Sequence, residues 1–283
     1  MASTKRALSR GTAVAVLAAA AVLAVSWQGA SAGGEKVDLE LVIATDVSYS
    51  VDGNEAKMQR QGVAEAFLSP EVVRAIEAGD LGRIAVTYLD FSERSSTRVL
   101  VPWRIVHDKE SAADFANALL KIPRTRGVNT SISEGIELAT TLIAESGYEA
   151  TQKTIDVSGD GPNNEGHLVT MAREAALALG ITINGLPIVT EASKFDVYYL
   201  PDLDQYYRGC VIGGSKAFIQ VAHGFEDFPR AMRRKLVLEI SDASRPKENP
   251  LFIRAAASEE RKWKGFVYER GCDIGERMRY GSR

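Results

Sequence analysis

The sequence predicts an α/β protein built on a mostly parallel β-sheet with helices on both faces. Three observations predict this class. Short apolar runs typical of buried strands alternate with segments whose apolar residues recur every three or four positions, as in helices. Strands separated by helices form right-handed crossovers, which makes neighbouring strands parallel. The chain has 283 residues, 45% of them hydrophobic, and is long enough to bury the core of such a sheet.

The strand candidates are short runs rich in Val, Ile and Leu. The first, residues 39–46 (LELVIATD), is apolar almost throughout and ends in a polar loop, as a strand buried on both faces does. The run at 99–103 follows the run at 83–91 after a short polar stretch, so these two are expected to pair as a hairpin. The remaining candidates are 153–158, 181–188 and a shorter run, 217–221.

Five segments between the strands carry helical periodicity. The first, 54–67, has the weakest apolar stripe. The other four stripes are all predicted to face the core. They consist of Ala112, Phe115 and Leu119; Ile132, Ile136, Ala139 and Ile143; Leu168, Met171, Ala172, Ala175 and Leu179; and Phe225, Phe228, Met232, Leu236 and Ile240.

Residues 1–32 have the pattern of a secretory signal peptide. Three basic residues precede an apolar run over 12–26, and residues 30–32 (Ala-Ser-Ala) are the small residues that signal peptidase cuts after. The alternative is a retained membrane anchor, but the apolar run is shorter than the roughly 20 residues that span a bilayer. We therefore expect an exported protein, periplasmic or secreted, with no transmembrane segment in the mature chain.

The rest of the chain divides into a domain, 33–242, and a basic extension, 243–283, which holds ten Lys or Arg and six Asp or Glu. The extension is predicted either to be solvated or to lie on the acidic domain or another anionic surface. The formal net charge of −3 argues against nucleic-acid binding. Export permits a disulfide between Cys210 and Cys272, and the sequence leaves their pairing open.

Oxygen-bearing side chains gather in the loops after the predicted strands. Asp46, Ser48 and Ser50 alternate in an extended loop, so all three can point to one side. Asp160 follows the strand at 153–158 between two glycines, and Thr130 precedes a predicted helix. Ligands of parallel sheets bind beyond the carboxyl ends of the strands, where these loops meet. Carboxylates and hydroxyls without imidazole or thiol suit Mg²⁺, Mn²⁺ or Ca²⁺.

These residues in this order resemble the metal-ion-dependent adhesion site (MIDAS) of von Willebrand factor type A (VWA) domains. Stretches such as DVSYSVD, NTSISEGIELA and IDVSGDGPNNEG resemble, more closely, a family of exported bacterial proteins with a VWA-like domain and no established activity. The likeness covers roughly residues 37–241. It implies a Rossmann-like, doubly wound sheet of six strands in the order 3-2-1-4-5-6, with an antiparallel strand at the edge.

The resemblance also implies a divalent cation, Mg²⁺ first among the candidates. Ser48, Ser50 and Thr130 would hold it, and Asp46 and Asp160 would contact it directly or through water. Ser131 is the alternative source of the hydroxyl assigned to Thr130. Either residue is also a good helix N-cap, which is the competing interpretation of both.

In VWA domains the cation characteristically takes a carboxylate from the binding partner, and the resemblance implies the same here. The leading hypothesis is a binding module that captures an acidic group of another protein. The alternative is a metal-dependent hydrolase or phosphoryl-transfer enzyme that uses the same aspartates, with His167 as the best candidate acid or base. The sequence has no G-x-S-x-G, P-loop or G-x-G-x-x-G motif, so we do not predict an enzyme. A structural domain with a vestigial metal site is the third hypothesis.

Four tyrosines after the fifth predicted strand, Tyr198, Tyr199, Tyr206 and Tyr207, are predicted to form a partner-binding rim on the same face as the metal. Tyrosine supplies rigid, amphipathic contact area at recognition surfaces. The alternative is that these rings cover the core of the domain itself.

Overall fold

The computed structural model describes residues 34–123, 125–191, 198–243 and 266–281. Within these residues the chain forms a six-stranded sheet in the order β3-β2-β1-β4-β5-β6, flanked by helices. All neighbouring strands are parallel except β2 and β3, which pair as an antiparallel hairpin at one edge. The predicted fold class is therefore confirmed. The signal-peptide prediction for residues 1–32 lies outside the described residues.

The strands are β1 (Glu35–Asp46), β2 (Ile84–Phe91), β3 (Arg98–Val106), β4 (Tyr148–Gly159), β5 (Thr182–Val189) and β6 (Ala222–His223). The helices are α1 (Gly53–Leu68), α2 (Pro70–Glu77), α3 (Lys109–Leu120), α4 (Ile132–Ala144), α5 (Val169–Ala178), α6 (Leu203–Tyr206), α7 (Phe228–Ala243) and α8 (Ile274–Tyr280). A π-helix (Tyr207–Val211) follows α6, and a 3₁₀ turn (Phe225–Asp227) precedes α7.

The core has two layers, one on each face of the sheet. Helices α1, α2, α3 and α7 cover one face, and α4, α5 and the π-helix cover the other. Strand β1 lies at the centre and is buried on both faces from Val37 onward, which explains its nearly continuous apolar sequence. The carboxyl ends of β1 and β4 lie side by side, with Thr45 paired to Ser158. The loops after these two strands therefore begin at adjacent points on one edge.

Side-chain caps set the starts of the helices near this edge. Asp52 caps α1 through the backbone amides of Asn54 and Glu55, and the Glu55 side chain accepts from Asp52 N in return. Ser131 caps α4 by accepting from Glu134 N. These caps fix where the loops end and the helices begin.

Two predicted elements differ from the structure. The sixth strand is Ala222–His223 and not 217–221, where a single bridge from Ile219 to Gly185 joins the sheet. The stripe predicted to bury α5 is confirmed only for Ala172 and is wrong for the rest, because Leu168, Met171, Ala175 and Leu179 are exposed. Val169 and Ala176, which were not predicted, are buried beside Ala172. Helices α2, α6 and α8 and the π-helix had not been predicted.

Residues 266–281 lie on the domain, which fits the second alternative for the basic extension. Cys210 of the π-helix and Cys272 form a disulfide. The Arg279 guanidinium lies 2.8 Å from a carboxylate oxygen of Glu165. The remainder of the extension, 244–265 and 282–283, lies outside the described residues. Among the described helices, none combines the length and the apolar content needed to cross a bilayer.

Candidate metal centre

Asp46 is the last residue of β1 and is completely buried. Its Oδ1 accepts a hydrogen bond from the backbone amide of Ser48 at 2.7 Å, which turns the chain tightly after the strand. On the other side, a Cβ built on Gly159 of β4 would lie only 3.0 Å from Asp46 Oδ2. The glycine at the end of β4 therefore leaves the space beside this carboxylate open.

A chain of hydroxyls joins this region to the second aspartate. Ser48 Oγ lies 3.2 Å from Ser50 Oγ, and Ser50 Oγ donates to Asp160 Oδ1 at 2.8 Å. Ser48 is buried, Asp160 is half-buried and Ser50 is exposed. The three oxygen-bearing side chains thus lead from the buried Asp46 outward to solvent.

Thr130 is held beside the loop that follows Asp160. Its backbone amide donates to Asn164 Oδ1 at 2.9 Å, and its carbonyl accepts from Asn164 N at 2.8 Å. The neighbouring Ser131 is the cap of α4, and its Oγ also donates to the carbonyl of Glu165 at 2.9 Å. The Ser131 hydroxyl is therefore engaged by α4 and by Glu165, and Thr130 stays the hydroxyl that the resemblance assigns to the site.

Glu93, after β2, anchors the loop that leads to Thr130. Its Oε2 accepts from the backbone amides of Val128 and Asn129 at 2.8 and 3.2 Å. Burial alone would raise the pKa of Glu93, but hydrogen bonds from Ser96, Val128 and Ser92 lower it to about 2. Glu93 is therefore a carboxylate that positions the loop through hydrogen bonds to its charged form.

Asp46 has no compensating positive charge among the described residues. No Lys, Arg or His of this part of the chain lies within ion-pair distance of it, and its buried Oδ2 has no hydrogen-bond partner there. Burial raises the pKa of Asp46 well above its usual range, and the carboxylate of Asp160 raises it further, against the opposing hydrogen bonds from Ser48. This geometry leaves a buried carboxylate oxygen to be balanced by a ligand.

The residues present fit a hard divalent cation. Two carboxylates and three hydroxyls supply only oxygen, which Mg²⁺, Mn²⁺ and Ca²⁺ prefer. Within the described ranges, no group of three or more His, Cys, Asp or Glu side chains is arranged to hold a metal. A cation here would therefore depend on the serine and threonine hydroxyls as much as on the two aspartates.

The predicted tyrosine rim is wrong for two of its members. Tyr206 and Tyr207 are completely buried in the core, where the Tyr207 ring packs over Gly185 of β5, and Tyr198 and Tyr199 are half-buried. The exposed aromatic ring beside the site is Tyr49, 68% exposed and located between the two serines.

Tyr49 forms an exposed rim with two residues of the neighbouring loop. Its backbone amide donates to the carbonyl of Val128 at 3.4 Å, and the Arg126 guanidinium stacks 4.4 Å from the centre of its ring. Val128 is also largely exposed. This surface combines an aromatic ring, an apolar side chain and the positive charge of Arg126 next to Ser48 and Ser50.

His167, the candidate acid or base of the enzyme hypothesis, does not pair with either aspartate. Its Nδ1 lies 2.7 Å from Glu137 Oε1 of α4, and its side chain is exposed. The hydrogen bond that His167 donates to the Glu137 carboxylate raises the pKa of His167, an arrangement typical of a surface ion pair.

Sequence reasoning missed three residues that support the site: Glu93, Asn163 and Asn164. Asn163 Oδ1 accepts from Ser133 N at 3.0 Å, and its Nδ2 donates to Glu276 of α8 at 2.8 Å. Both asparagines lie directly after the Gly-Asp-Gly turn, so their position was the available signal. Nothing in the sequence points to the long-range contact between Glu93 and Val128.

Comparison with solved structures returns VWA-type proteins. Proximal thread matrix protein 1 from the mussel byssus has a TM-score of 0.53 and 17% identity, over 74% of this chain and 49% of that chain. Another structure of the same protein, described with a zinc-occupied MIDAS motif, has a TM-score of 0.50 and 16% identity, with the same 74% and 49% covered. The pilus adhesin SpaC from Lactobacillus rhamnosus GG, in an open conformation, has a TM-score of 0.51 and 17% identity, over 74% and 30%.

These similarities show the fold. The present chain spans about half the length of the mussel matrix protein and less than a third of the adhesin. A comparison with curated protein sequences found no significant match. The family model described as "Protein of unknown function (DUF1194)" matches residues 36–244, so the chain belongs to this family, and its domain has the VWA-like fold.

Proposed function

We propose that the protein is an exported binding module that captures an acidic side chain of another protein through a divalent cation. Asp46, Ser48, Ser50, Thr130 and Asp160 would hold the cation, with Mg²⁺ the first candidate and Mn²⁺ or Ca²⁺ the others. The observation that carries the proposal is the buried Asp46 Oδ2, which has neither a hydrogen-bond partner nor a cationic side chain among the described residues. A bound divalent cation would balance this charge.

The outward gradient of exposure supports capture of a partner. Asp46 and Ser48 are buried, whereas Ser50 is open to solvent. A cation at the base of this gradient is reached from outside, and an octahedral cation keeps ligand positions for waters or for a partner's oxygen. The rim of Tyr49, Arg126 and Val128 offers aromatic, cationic and apolar contacts to a polypeptide that presents a carboxylate.

The descriptions of two structurally similar proteins support this proposal. The mussel byssus protein has been seen with zinc at a MIDAS motif, and SpaC is a pilus adhesin. The signal-like sequence of residues 1–32 supports a partner outside the cytoplasm, in the periplasm or beyond. The partner would be recognised through one of its carboxylates, which would bind the cation held by this protein.

The test is capture from a cell-envelope extract with immobilised protein in the presence of Mg²⁺, followed by elution with EDTA. We expect one or a few proteins to bind, to elute with the chelator, and to be absent from beads that carry Asp46→Asn. Asp80→Asn, an exposed aspartate between α2 and β2, is the matched control and should capture the same proteins. Capture that survives both EDTA and Asp46→Asn would refute cation-dependent binding.

A further inference from the structure

The hydroxyl of Tyr207 is buried against the candidate metal centre. Tyr207 begins the π-helix, is completely buried, and its Oη has no hydrogen-bond partner among the described residues. Buried hydroxyls without a partner are costly and uncommon, so each one calls for an explanation. Short π-helical segments occur frequently at functional sites, and Tyr207 lies at the start of one.

Two glycines on adjacent strands make room for the Tyr207 side chain. A Cβ on Gly185 of β5 would lie 2.7 Å from Cδ1 of the Tyr207 ring. A Cβ on Gly159 of β4 would lie 3.0 Å from the Tyr207 hydroxyl. Any larger residue at these positions would displace the ring or the hydroxyl. The surface of the sheet is therefore shaped to let this phenol lie across it and reach the end of β4.

The same point beside Gly159 also lies 3.0 Å from Asp46 Oδ2. Two buried oxygens without partners among the described residues, one on Tyr207 and one on Asp46, thus flank the space that the missing side chain of Gly159 leaves open. A phenol donates a hydrogen bond and a carboxylate accepts one. The two groups are complementary, and since each oxygen lies 3.0 Å from the same point, the gap between them is no wider than one water molecule can bridge.

We propose that Tyr207 is a positioning residue of the cation site, whose hydroxyl donates a hydrogen bond through one bridging water to Asp46 Oδ2. The inference rests on the proposed function and adds a group to its site. Tyr207 orients the Asp46 carboxylate toward the cation, as outer hydrogen-bond partners of metal ligands do. Because Cys210 in the same π-helix is bonded to Cys272, the element that carries the phenol is fixed covalently to the C-terminal segment.

The first test is Tyr207→Phe, which keeps the ring that fills the core and removes only the hydroxyl. Titration calorimetry with Mg²⁺ and with Mn²⁺ should show about 10- to 100-fold weaker binding than in the wild type. Tyr268→Phe is the matched control, since Tyr268 is also buried but its hydroxyl donates to Asp202 at 3.1 Å, away from the site. This control should bind both cations as the wild type does.

A second readout separates positioning from packing. Cation binding changes the surroundings of the Tyr207 hydroxyl, so adding Mg²⁺ should produce a tyrosine difference signal in near-ultraviolet absorbance. We expect this signal in the wild type and in Tyr268→Phe, and its loss in Tyr207→Phe at saturating Mg²⁺.

The outcomes distinguish this inference from the function on which it rests. A wild-type protein that binds no cation would refute the proposed function. If the wild type and Tyr207→Phe bind equally well, only the role of Tyr207 is overturned. A Tyr207→Phe protein that fails to fold would also overturn it, because the hydroxyl would then serve the fold itself.

Discussion

Asp46 differs from two buried aspartates on the neighbouring strands, and the difference points to the site. Asp90, near the end of β2, lies 2.8 Å from the Arg60 guanidinium of α1. Asp156, within β4, lies 2.7 Å from the Lys235 ammonium of α7, which is also 2.5 Å from Glu239. Asp46 lies between these strands at the end of β1 and has no such basic partner among the described residues.

The comparison shows where the fold supplies its own positive charge. Burying an isolated carboxylate is expensive, and a buried cation offsets the cost only when both are closely paired. Asp90 and Asp156 are compensated from within the chain by helices on the same face of the sheet, α1 and α7. At Asp46, beside hydroxyls that lead to solvent, no described side chain supplies a positive charge, and we propose that a bound cation does. The predictions below test this distinction, from the largest expected effect to the smallest.

Removing an internal cation should have the largest effect. Lys235→Met leaves the carboxylates of Asp156 and Glu239 buried without their partner, and we expect a loss of about 3–5 kcal/mol in the free energy of unfolding. Urea unfolding at neutral pH measures it, and added Mg²⁺ should not restore the loss. Arg234→Met, an exposed neighbour on α7, should change stability by less than about 0.5 kcal/mol. If Lys235→Met and Arg234→Met changed stability equally, the claim that Lys235 compensates the buried charges of Asp156 and Glu239 would be contradicted.

Removing the uncompensated carboxylate should act in the opposite direction. Asp46→Asn keeps an oxygen that accepts from Ser48 N but removes a buried charge, so in EDTA the variant should be more stable than the wild type by about 1–3 kcal/mol. Mg²⁺ should stabilise the wild type and leave the variant unchanged, because a ligand stabilises only the form that binds it. Urea unfolding with and without Mg²⁺ decides this, and a variant less stable than the wild type in EDTA would contradict the prediction.

Closing the space beside Asp46 should weaken cation binding without unfolding the protein. In Gly159→Ala the new Cβ would lie 3.0 Å from both Asp46 Oδ2 and the Tyr207 hydroxyl, so both oxygens must shift by a few tenths of an ångström. We expect about tenfold weaker binding of Mg²⁺ by calorimetry, the order seen when the groups around metal ligands are disturbed. Gly161→Ala, where a Cβ meets no atom within 4 Å, is the control and should bind normally. Equal affinities for the two variants would show that this space is irrelevant to the cation.

The smallest effect is a pH dependence from Glu93. The pKa of Glu93 is lowered to about 2 in the folded protein, from its ordinary value of 4.5. Its hydrogen bonds therefore stabilise the fold above about pH 4.5, and this stabilisation is lost as the pH falls toward 2. We expect Glu93→Gln to remove about 1–2 kcal/mol at neutral pH and to flatten the acid side of the stability profile. Urea unfolding as a function of pH measures this, with Glu149→Gln on an exposed part of β4 as the control. A profile as steep as that of the wild type would contradict the role of Glu93.

The sequence predicted which side chains gather at this edge of the sheet better than it predicted the residues that hold them there. Asp46, Ser48 and Ser50 follow a buried strand in a local pattern, and Asp160 follows another, so the topology of parallel strands was enough to bring them to one edge. The pairs Asp90–Arg60 and Asp156–Lys235 join residues far apart in the chain. No periodicity encodes such contacts, and they appear only in three dimensions.

The errors have physical reasons as well. The stripe predicted on α5 was centred on its large residues, but the buried face consists of Val169, Ala172 and Ala176, and the large Leu168, Met171 and Leu179 face outward. Tyr206 and Tyr207 were assigned to a rim because they follow the fifth strand and tyrosine is common at recognition surfaces, but both are buried, and Gly185 makes room for the Tyr207 ring in the core. The disulfide was left open because pairing depends on the approach of Cys210 and Cys272 in space.

The most direct test of the central claim is a calorimetric titration of the wild-type protein with Mg²⁺ and Mn²⁺, alongside Asp46→Asn. We expect the wild type to bind one divalent cation and Asp46→Asn to bind none over the same concentration range. A wild type that binds neither ion, or an Asp46→Asn protein that binds as tightly, would contradict the assignment of Asp46 as a carboxylate whose counter-charge comes from outside the chain.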